Sequence, residues 1–306
     1  MPRFIARRLL LFVPTLWGLL TFVFVLNRAM PGDPVDLMLG EGAPVEKRED
    51  LRRALGLDRP LLSQYVHYLG DLASLDLGRS IRTQRPVAQE LLRAFPKTLK
   101  LGCTALVLAA LIAFPLGLVS ARRPGGMGDR FVRLYTSAGL SLPSFFVGPI
   151  LLLALAVGLR WFPVSGADEP GSLVLPAFTL ALPLSALLAR ILRASLLEEE
   201  GKEYLRTARM KGLSEGRVLW RHALRNALLP VFTVLGLQFG ALLTGAILTE
   251  KVFRWPGLGT LVLTAITSRD YPVVQGAVLL FAFVTLGATL ATDLGYALID
   301  PRVRHA

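Results

Sequence analysis

Residues 198–226, EEEGKEYLRTARMKGLSEGRVLWRHALRN, separate two long apolar runs, Pro170–Ala189 and Ala227–Thr249. A segment with this many charges cannot lie in hydrocarbon, so we predict a loop or a surface helix on one side of a membrane. Its basic residues are Lys202, Arg206, Arg209, Lys211, Arg217, Arg221 and Arg225. An excess of Lys and Arg in a loop between spans indicates the cytoplasmic side.

The middle of this stretch has the periodicity of a short helix. Leu205, Ala208 and Gly212 follow one another at helical spacing, with Leu213 next to them. A face of small residues is suited to docking into a groove on a partner protein. The same pattern also fits an amphipathic helix that its basic residues hold on anionic lipid. The pattern alone leaves both interpretations open.

The composition of the whole chain indicates a membrane protein. Hydrophobic residues make up 53% of the 306 residues, and the mean hydropathy is +0.53. Six charge-free runs account for these values, and each is about as long as the roughly 20 residues of a spanning helix. The runs are Leu9–Asn27, Leu101–Ala121, Leu134–Leu159, Pro170–Ala189, Asn226–Thr249 and Tyr271–Thr292. We therefore predict an all-α membrane protein with six transmembrane helices.

Other classes of function find little support in the composition. The net charge of +12 is assigned to cytoplasmic loops and a basic outer segment, because no nucleic-acid motif accompanies it. The single cysteine, Cys103, lies in an apolar run, so an internal disulfide is excluded. The histidines, His67, His222 and His305, are far apart in sequence, and no metal site is predicted from them.

Residues 1–30 join a basic head to the first apolar run, a pattern that signal peptides share with first transmembrane helices. The run is longer than the about 7–15 residues of a signal-peptide core, and no clear Ala-x-Ala site follows it. We predict an uncleaved helix with a cytoplasmic N-terminus. The basic tail, residues 301–306, is predicted to lie on the same side.

Residues 31–96 are polar and mixed in charge, and we predict that they lie outside the cytoplasm. Glu46–Leu57 and Leu61–Leu72 have the pattern of short amphipathic helices. The segment is either a cap without a ligand role or a support for a docked protein, and we favour the second.

Two groups of residues within the predicted spans are candidates for a pathway or gate. Ser141, Pro143 and Ser144 lie in the third span, where Pro143 is predicted to kink or break the helix. The kink either improves packing only or exposes small and hydroxyl residues to a path. Gln238 and Thr244 in the fifth span are expected to face the bundle interior or the pathway.

One acid lies in the predicted sixth helix. Asp293 is near its cytoplasmic end, where it can reach water or a basic neighbour. We predict a structural role for it.

Three stretches resemble permeases of ABC importers in the dipeptide/oligopeptide/nickel branch, and the resemblance covers nearly the whole chain. They are LGLDRPLLSQYVHYLGDLASLDLGRSIRTQRPV at 55–87, YLRTARMKGLSEGRVLWRHALRNALLP at 204–230 and VFRWPGLG at 252–259. The second is similar to the EAA loop of these permeases, a Glu-Ala-Ala motif followed after three residues by Gly. Arg206-Thr207-Ala208 stands at Glu-Ala-Ala, and Gly212 stands at the Gly. Arg in place of Glu, and a displaced Leu-Pro ending, are typical of this branch.

The resemblance implies the type I ABC importer permease fold. Residues 31–96 would form a polar outer segment between helices 1 and 2, and residues 97–300 a core of five helices. Residues 198–226 would carry a coupling helix that docks on a separate ATPase subunit. The residues that this role falls on are Glu203, Tyr204, Leu205, Arg206, Thr207, Ala208, Arg209, Lys211, Gly212 and Leu213.

The resemblance also concerns the loop VFRWPGLG. It suggests that Phe253, Trp255 and Gly257 lie near the dock of a substrate-binding protein. An anchor at the membrane interface fits the same residues equally well.

The resemblance implies several partners: a second permease subunit in a heterodimer, two ABC ATPase subunits, an extracytoplasmic substrate-binding protein and membrane lipid. No cofactor is expected on this chain, because it lacks the G-x-x-x-x-G-K-[ST] phosphate loop. ATP and Mg²⁺ are expected in the partner ATPase. We predict a non-enzymatic permease of a bacterial or archaeal inner membrane, with peptides, nickel chelates and oligosaccharides all open as substrates.

The sequence argues against two other classes of membrane protein. A secondary transporter not driven by ATP would have charges at mid-membrane and an inverted repeat. The middles of the six runs carry no charge, and no clear repeat is present. A membrane enzyme would have a nucleophile paired with a base in the spans, and no histidine lies in any run.

Overall fold

The computed structural model describes residues 2–29, 35, 39, 43–54 and 56–299. The predicted tail at 301–306 lies outside the described residues, as do the side chains of Thr244 and Asp293. The helices are α1 Pro2–Ala29, α2 Val45–Ala54, α3 Leu61–Ala73, α4 Val87–Arg122, α5 Met127–Ser141, α6 Ser144–Leu151, α7 Val174–Glu200, α8 Glu203–Met210, α9 Glu215–Arg217, α10 Leu224–Gly245, α11 Ile247–Val252, α12 Leu258–Thr267 and α13 Tyr271–Ile299. Wider π-helical turns at Leu152–Gly158 and Val218–Ala223 extend α6 and join α9 to α10.

Four helices in the described part of the chain are long and apolar enough to cross a membrane, and five if one bent pair forms a single span. These five correspond to the predicted second to sixth spans. The first predicted span, Leu9–Asn27, lies within the 28-residue α1 and includes the apolar stretch Phe12–Val25. The prediction of an all-helical membrane protein is confirmed, whereas the number six stays a prediction.

The bent pair is α5 and α6, which meet at an angle of 103°. Proline has no backbone N–H and its ring displaces the preceding residue from helical geometry. Leu142 is accordingly extended, with φ −90° and ψ 118°, and α6 begins directly after Pro143. The predicted break at Pro143 is confirmed.

The described chain divides into two compact units, and the predicted division at residues 31–96 and 97–300 stays a prediction. The first unit contains residues 97–259 and the chain from residue 285 onward. Its central helix is α7, which contacts α5, α6, α10 and α11. In its most apolar stretch 61% of the residues are buried, against 33% or less in the other single spans. Small residues permit this enclosure, because a side chain at Gly139 would lie only 2.7 Å from the Ala186 methyl group.

The second unit contains residues 2–96 and 260–284. Within it α1 contacts α3: Thr21 and Tyr65 share a hydrogen bond of 2.6 Å, and the Phe24 ring lies 5.2 Å from that of Tyr65. The predicted short helices of this segment are confirmed as α2 and α3.

Candidate functional site

The loop between α7 and α10 folds into the short helix α8, whose ends follow from the sequence. Glu203 in the first turn and Arg209 in the last turn complement the helix dipole. Gly212 ends the helix in the left-handed region, with φ +78°. Its N–H donates to Arg209 O at 2.9 Å, and the N–H of Leu213 donates to Ala208 O at 3.4 Å. These are the two hydrogen bonds of a Schellman motif, which glycine adopts without a Cβ penalty.

The small-residue face of α8 is turned toward this chain. Leu205 is fully buried and Ala208 nearly so, and both join a core cluster with residues of α4, α7 and α10. Leu213 packs against the same cluster. Burial inside the chain already removes the apolar surface of Leu205 and Ala208 from water, and their part in docking on a partner stays a prediction.

The opposite face of α8 is open. Met210 is 81% exposed, which is unusual for a large apolar side chain at the end of a charged helix. The remaining predicted docking residues on the exposed side are Glu203, Tyr204, Arg206, Thr207, Arg209, Lys211 and Gly212. This mixed basic and apolar surface is the part of the loop that can contact another molecule.

A polar cluster fixes the start of α8. The carboxylate of Glu199, at the end of α7, accepts hydrogen bonds from the Lys202 ammonium and the Tyr204 hydroxyl. The Asn226 amide donates to Tyr204 Oη at 2.9 Å and to Glu199 Oε2 at 3.5 Å. The Glu199 carboxylate raises the pKa of Lys202, while burial, and then that carboxylate, raise the pKa of Tyr204. Both donors therefore stay protonated at neutral pH, and the cluster joins α7, α8 and α10.

A second contact closes the turn after α8. Arg209 Nε donates to Glu215 Oε1 at 2.9 Å, and Arg209 Nη2 donates to Glu215 Oε2 at 3.3 Å. This two-point contact raises the pKa of Arg209. A fork of this kind restricts the orientation of both side chains more than a single ion pair does. On α8 and the turn that ends it, Arg206 and Lys211 are also exposed, and Arg206 makes an exposed ion pair with Glu203.

A buried acid organises the neighbouring turn between α4 and α5. Asp129 accepts hydrogen bonds from Ser120 Oγ at 2.5 Å, from Gly125 N at 2.8 Å and from Arg193 Nε at 2.7 Å. Its side chain is 1% exposed, and Arg193 belongs to α7. The cluster therefore ties three helices together in the first unit.

The candidate pathway residues are exposed or partly exposed within the chain. Ser141 and Pro143 are exposed, and Ser144 and Gln238 are half-buried. Ser141, Pro143 and Ser144 lie at the bend between α5 and α6, and Gln238 lies on α10. Their role in a pathway stays a prediction, as does that of Thr244.

The candidate residues for a binding-protein dock are packed inside this chain. Phe253 and Trp255 are each only 2% exposed, and their place near a dock or at the membrane interface stays a prediction. The indole N–H of Trp255 donates to Lys97 O at 3.0 Å, and the ring packs with Leu101 and Ala246. Burial of so large an aromatic ring stabilises the fold, which accounts for its place in the core.

Gly257 is also buried, and it packs against the carboxylate of Glu250. A side chain there would overlap Glu250 and Thr98, so only glycine fits. Thr98 Oγ1 donates to Glu250 Oε1 at 2.6 Å and accepts from Leu258 N at 2.8 Å. The VFRWPGLG motif is thus an internal support that joins Lys97 and Thr98 of α4 to α11 and the start of α12.

Sequence reasoning missed the buried acids Asp129, Glu199 and Glu250. Each has at least one donor that is distant in sequence: Asn226 lies 27 residues from Glu199, Arg193 lies 64 residues from Asp129, and Thr98 lies 152 residues from Glu250. The signal that sequence offers is weak: a lone Asp among arginines in 121–133, and an acid two residues before Val252, where VFRWPGLG begins. In the residues that the structure describes, no group of three or more His, Cys, Asp or Glu could hold a metal ion.

Together, several apolar spans and a charged loop helix anchored from within define an integral membrane protein of the permease type. Residues 113–305 match the family described as binding-protein-dependent transport system inner membrane component, and residues 1–102 match its N-terminal family. The chain belongs to this family of inner-membrane permeases. It is a permease subunit of an ABC importer and not an enzyme, and the family associates with separate ATPase and substrate-binding proteins.

Two curated relatives cover the whole chain. The di/tripeptide transport system permease protein DppB of Pseudomonas aeruginosa strain UCBPP-PA14 is 43% identical over 335 residues, covering 100% of this chain and 99% of that protein. The glutathione transport system permease protein GsiC of Escherichia coli K12 is 40% identical over 305 residues, covering 100% of both chains. These likenesses favour the ABC importer over a secondary transporter.

Solved structures show the same fold. An inward-facing MetNI methionine ABC transporter matches with a TM-score of 0.59 at 17% identity, covering 70% of this chain and 97% of that one. An amino acid ABC transporter crystallised with histidines matches with a TM-score of 0.53 at 16% identity, covering 70% of this chain and 94% of that one. The predicted type I importer permease fold is confirmed.

Proposed function

We propose that this chain is one subunit of a heterodimeric permease that imports short peptides or closely related small solutes. The observation that supports this substrate class is whole-length similarity, at 43% and 40% identity, to permeases named for di/tripeptides and for glutathione, itself a small peptide. The assembly comprises a second permease subunit, two ATPase subunits and an extracytoplasmic binding protein.

The coupling element in this proposal is α8 with its exposed face. Arg206, Met210 and Lys211 contact the ATPase, whereas Leu205 and Ala208 fasten the helix to the permease core. ATP and Mg²⁺ bind the ATPase, where hydrolysis supplies the free energy. This chain transmits a displacement: the Glu199 cluster makes α8 move with the ends of α7 and α10 instead of bending independently.

The break between α5 and α6 is the element of the pathway that the fold supports best. A span interrupted at Pro143 can change its angle with small cost, since no helical hydrogen bond crosses the break intact. Alternating access then consists of movements of α7 and α10 that open and close a path near Ser141, Ser144 and Gln238.

The proposed topology puts both termini and α8 in the cytoplasm of a bacterial or archaeal cell. The basic residues of the loop at 198–226 and the turn at 121–133 support this orientation. Residues 31–96 and the loop at 253–257 are then extracytoplasmic.

Cross-linking tests the proposed dock. The assembled transporter carries Met210→Cys in a Cys103→Ser background, because Cys103 is itself exposed. A bismaleimide is expected to join Cys at 210 to a cysteine scanned along the ATPase surface. Ser165→Cys is the matched control, since it is exposed in a loop that the topology places on the opposite side. Products from Ser165→Cys alone, or from neither variant, would exclude docking through α8.

A further inference from the structure

Residues Gly78–Pro86 of the second unit form a basic hairpin whose backbone is held by hydrogen bonds. Ser80 N donates to Arg85 O at 2.9 Å, Gln84 N to Ser80 O at 3.0 Å, and Arg79 pairs with Pro86 in an isolated antiparallel bridge. Gln84 has φ +56°, a conformation that non-glycine residues seldom adopt. Its side-chain amide compensates by donating to Ile81 O at 3.0 Å.

A buried acid from a distant part of the chain holds this hairpin. Asp270 is 3% exposed and accepts hydrogen bonds from the Ser80 hydroxyl, from Ile81 N at 3.1 Å and from Arg82 N at 3.3 Å. The Ser80 hydroxyl in turn accepts from Thr83 N at 2.9 Å. The carboxylate thus fixes the tip of the hairpin, because it binds three donors on consecutive residues.

The arginines of the hairpin divide into one internal group and two outward groups. Arg79 Nη1 donates to Gln84 O at 3.2 Å. Arg82 and Arg85 are exposed, and within the described chain their guanidinium groups make no hydrogen bond or ion pair. The hairpin therefore exposes two planar guanidinium groups, which are more weakly hydrated than ammonium groups, on a backbone that hydrogen bonds hold in place.

The positive charge is local and not a property of the whole segment. Residues 31–96 contain nine Lys and Arg and ten Asp and Glu, whereas the hairpin itself contains three Arg and no acid. Among the residues that the structure describes, three acids outside it bind its backbone or hydroxyl groups and leave the exposed Arg82 and Arg85 side chains unpaired: Asp76, Glu90 and the buried Asp270. The exposed arginines of the hairpin therefore form a distinct binding surface on a segment whose charges nearly balance.

We propose that Arg82 and Arg85 dock an acidic face of the substrate-binding protein on the permease. This inference rests on the proposed function, which places residues 31–96 outside the cytoplasm and supplies such a partner. Anionic lipid is the less favoured occupant, because residues 78–86 expose no large apolar side chain for insertion. A lipid headgroup also does not require a backbone fixed by Asp270. Charges of this kind set the orientation and rate of encounter more than the final affinity.

The first test measures how much binding protein is needed for half-maximal stimulation of ATP hydrolysis by the whole transporter in nanodiscs. Arg82→Glu/Arg85→Glu is expected to raise that concentration about tenfold, with unchanged hydrolysis in the absence of binding protein. The matched control, Arg59→Glu/Arg93→Glu, makes the same change in charge at exposed arginines of the same segment. It is expected to have less than about a twofold effect, because these arginines lie outside the hairpin and salt screens interactions between exposed charges.

The second test identifies the partner group. Arg82→Lys keeps the charge and adds an amine, which a carbodiimide joins to a carboxylate with loss of water. An amide between Lys at 82 and an Asp or Glu of the binding protein is expected.

Three results would overturn the proposal. One is an equal response of both charge-reversal pairs, and another is an effect that appears only in nanodiscs with anionic lipid. The third is a native transporter that its binding protein fails to stimulate, which would reject the proposed function as well. Normal stimulation with no effect of the hairpin variants rejects only the hairpin dock.

Discussion

Tyr204 donates its hydroxyl hydrogen bond to the carboxylate of Glu199, and this contact joins the first turn of α8 to the last turn of α7. The hydroxyl also accepts a hydrogen bond from Asn226, at the start of α10. One phenol thus links the loop helix to both spans that flank it. We expect a displacement of α8 to move both spans with it, because the contact is partly buried and charge-assisted.

Tyr204→Phe tests this link. The change keeps the ring but leaves Glu199 with one donor fewer, at a cost of about 1.5–3 kcal/mol for a hydrogen bond to a charged group. We expect a lower melting temperature of the assembled transporter and fewer substrates imported per ATP. The measurements are thermal unfolding and transport in proteoliposomes.

Arg206→Ala is the comparison for Tyr204→Phe. Arg206 lies on the exposed face of α8, and its ion pair with Glu203 is also exposed. We expect weaker association with the ATPase at an unchanged melting temperature, because an exposed ion pair contributes little to stability. Equal loss of stability in both variants would contradict the division of α8 into an anchored face and a docking face.

Gly212 tests the end of the coupling helix. Its φ of +78° costs an L-residue about 1–2 kcal/mol, and less for Asn or Asp. We expect the ratio of uptake to ATP hydrolysis to fall in the order Gly, Asn, Ala, Val at this position. Gly212→Asp is expected to insert normally but to be uncoupled, since it adds an acid to the basic docking face.

The control for Gly212 is another exposed glycine in the same loop. Gly216 lies in α9 with open space around its Cα, and its φ is not positive. Gly216→Ala is expected to leave coupling unchanged. Normal uptake by Gly212→Asp together with Gly212→Val would remove α8 from the coupling mechanism.

Sequence patterns were sufficient for the elements whose physics is local. Charge-free runs identified the five described spans, and Pro143 identified the break, because proline disrupts helical hydrogen bonding whatever surrounds it. The predicted helix at α8 was also correct. Gly212 was recognised by family position, and the structure adds the reason, a left-handed backbone.

The orientation of residues within these elements could not be derived in the same way. Trp255 was expected at an exposed dock or membrane interface but lies in the core, because its partner Lys97 is 158 residues away. Leu205 has the spacing of a docking face and of a core face alike, since periodicity shows that a face is apolar but not what covers it. The burial of acids such as Asp270 likewise depends on hydrogen-bond donors that are distant in sequence.

Trp255→Ala tests the internal role of the VFRWPGLG motif. Removing a buried indole from this site is expected to cost about 3–5 kcal/mol, and the amount of folded protein in the membrane falls accordingly. Lys251→Ala, four residues earlier and exposed, is the control. Retained folding with selective loss of binding-protein stimulation would show instead that Trp255 belongs to a dock.

The geometry around the buried Asp129 predicts a large loss of stability when one of its two arginines is replaced and a small loss when the other is. Arg193 Nε lies 2.7 Å from the carboxylate with a side chain 24% exposed, whereas Arg133 Nε lies 3.5 Å away and is 56% exposed. Arg193→Gln is expected to cost about 3–5 kcal/mol, because it leaves a buried charge without its main partner. Arg133→Gln is expected to cost less than about 1 kcal/mol. Thermal unfolding of the two variants side by side checks this, and a reversed order would contradict the described geometry.

The close packing of α10 against α13 predicts that one substitution destabilises the protein and that a second one recovers part of the lost stability. A side chain at Gly236 would overlap Thr292. Gly236→Ala is expected to destabilise the assembly by about 1–3 kcal/mol through overpacking, and Thr292→Ala in the same chain is expected to recover part of that loss. Gly287→Ala on α13, where the added methyl meets open space, serves as the control. Additive effects of the Gly236 and Thr292 changes would show that the two positions do not touch.

The central claim is that this chain is a permease driven by an ATPase in another subunit. Purification of the chain from native membranes in mild detergent, with mass spectrometry of the proteins that accompany it, tests this most directly. We predict an ABC ATPase, a second permease and a substrate-binding protein that carries a short peptide or related solute. Isolation of the chain alone or as a homodimer, with uptake that persists after ATP depletion, would contradict the account.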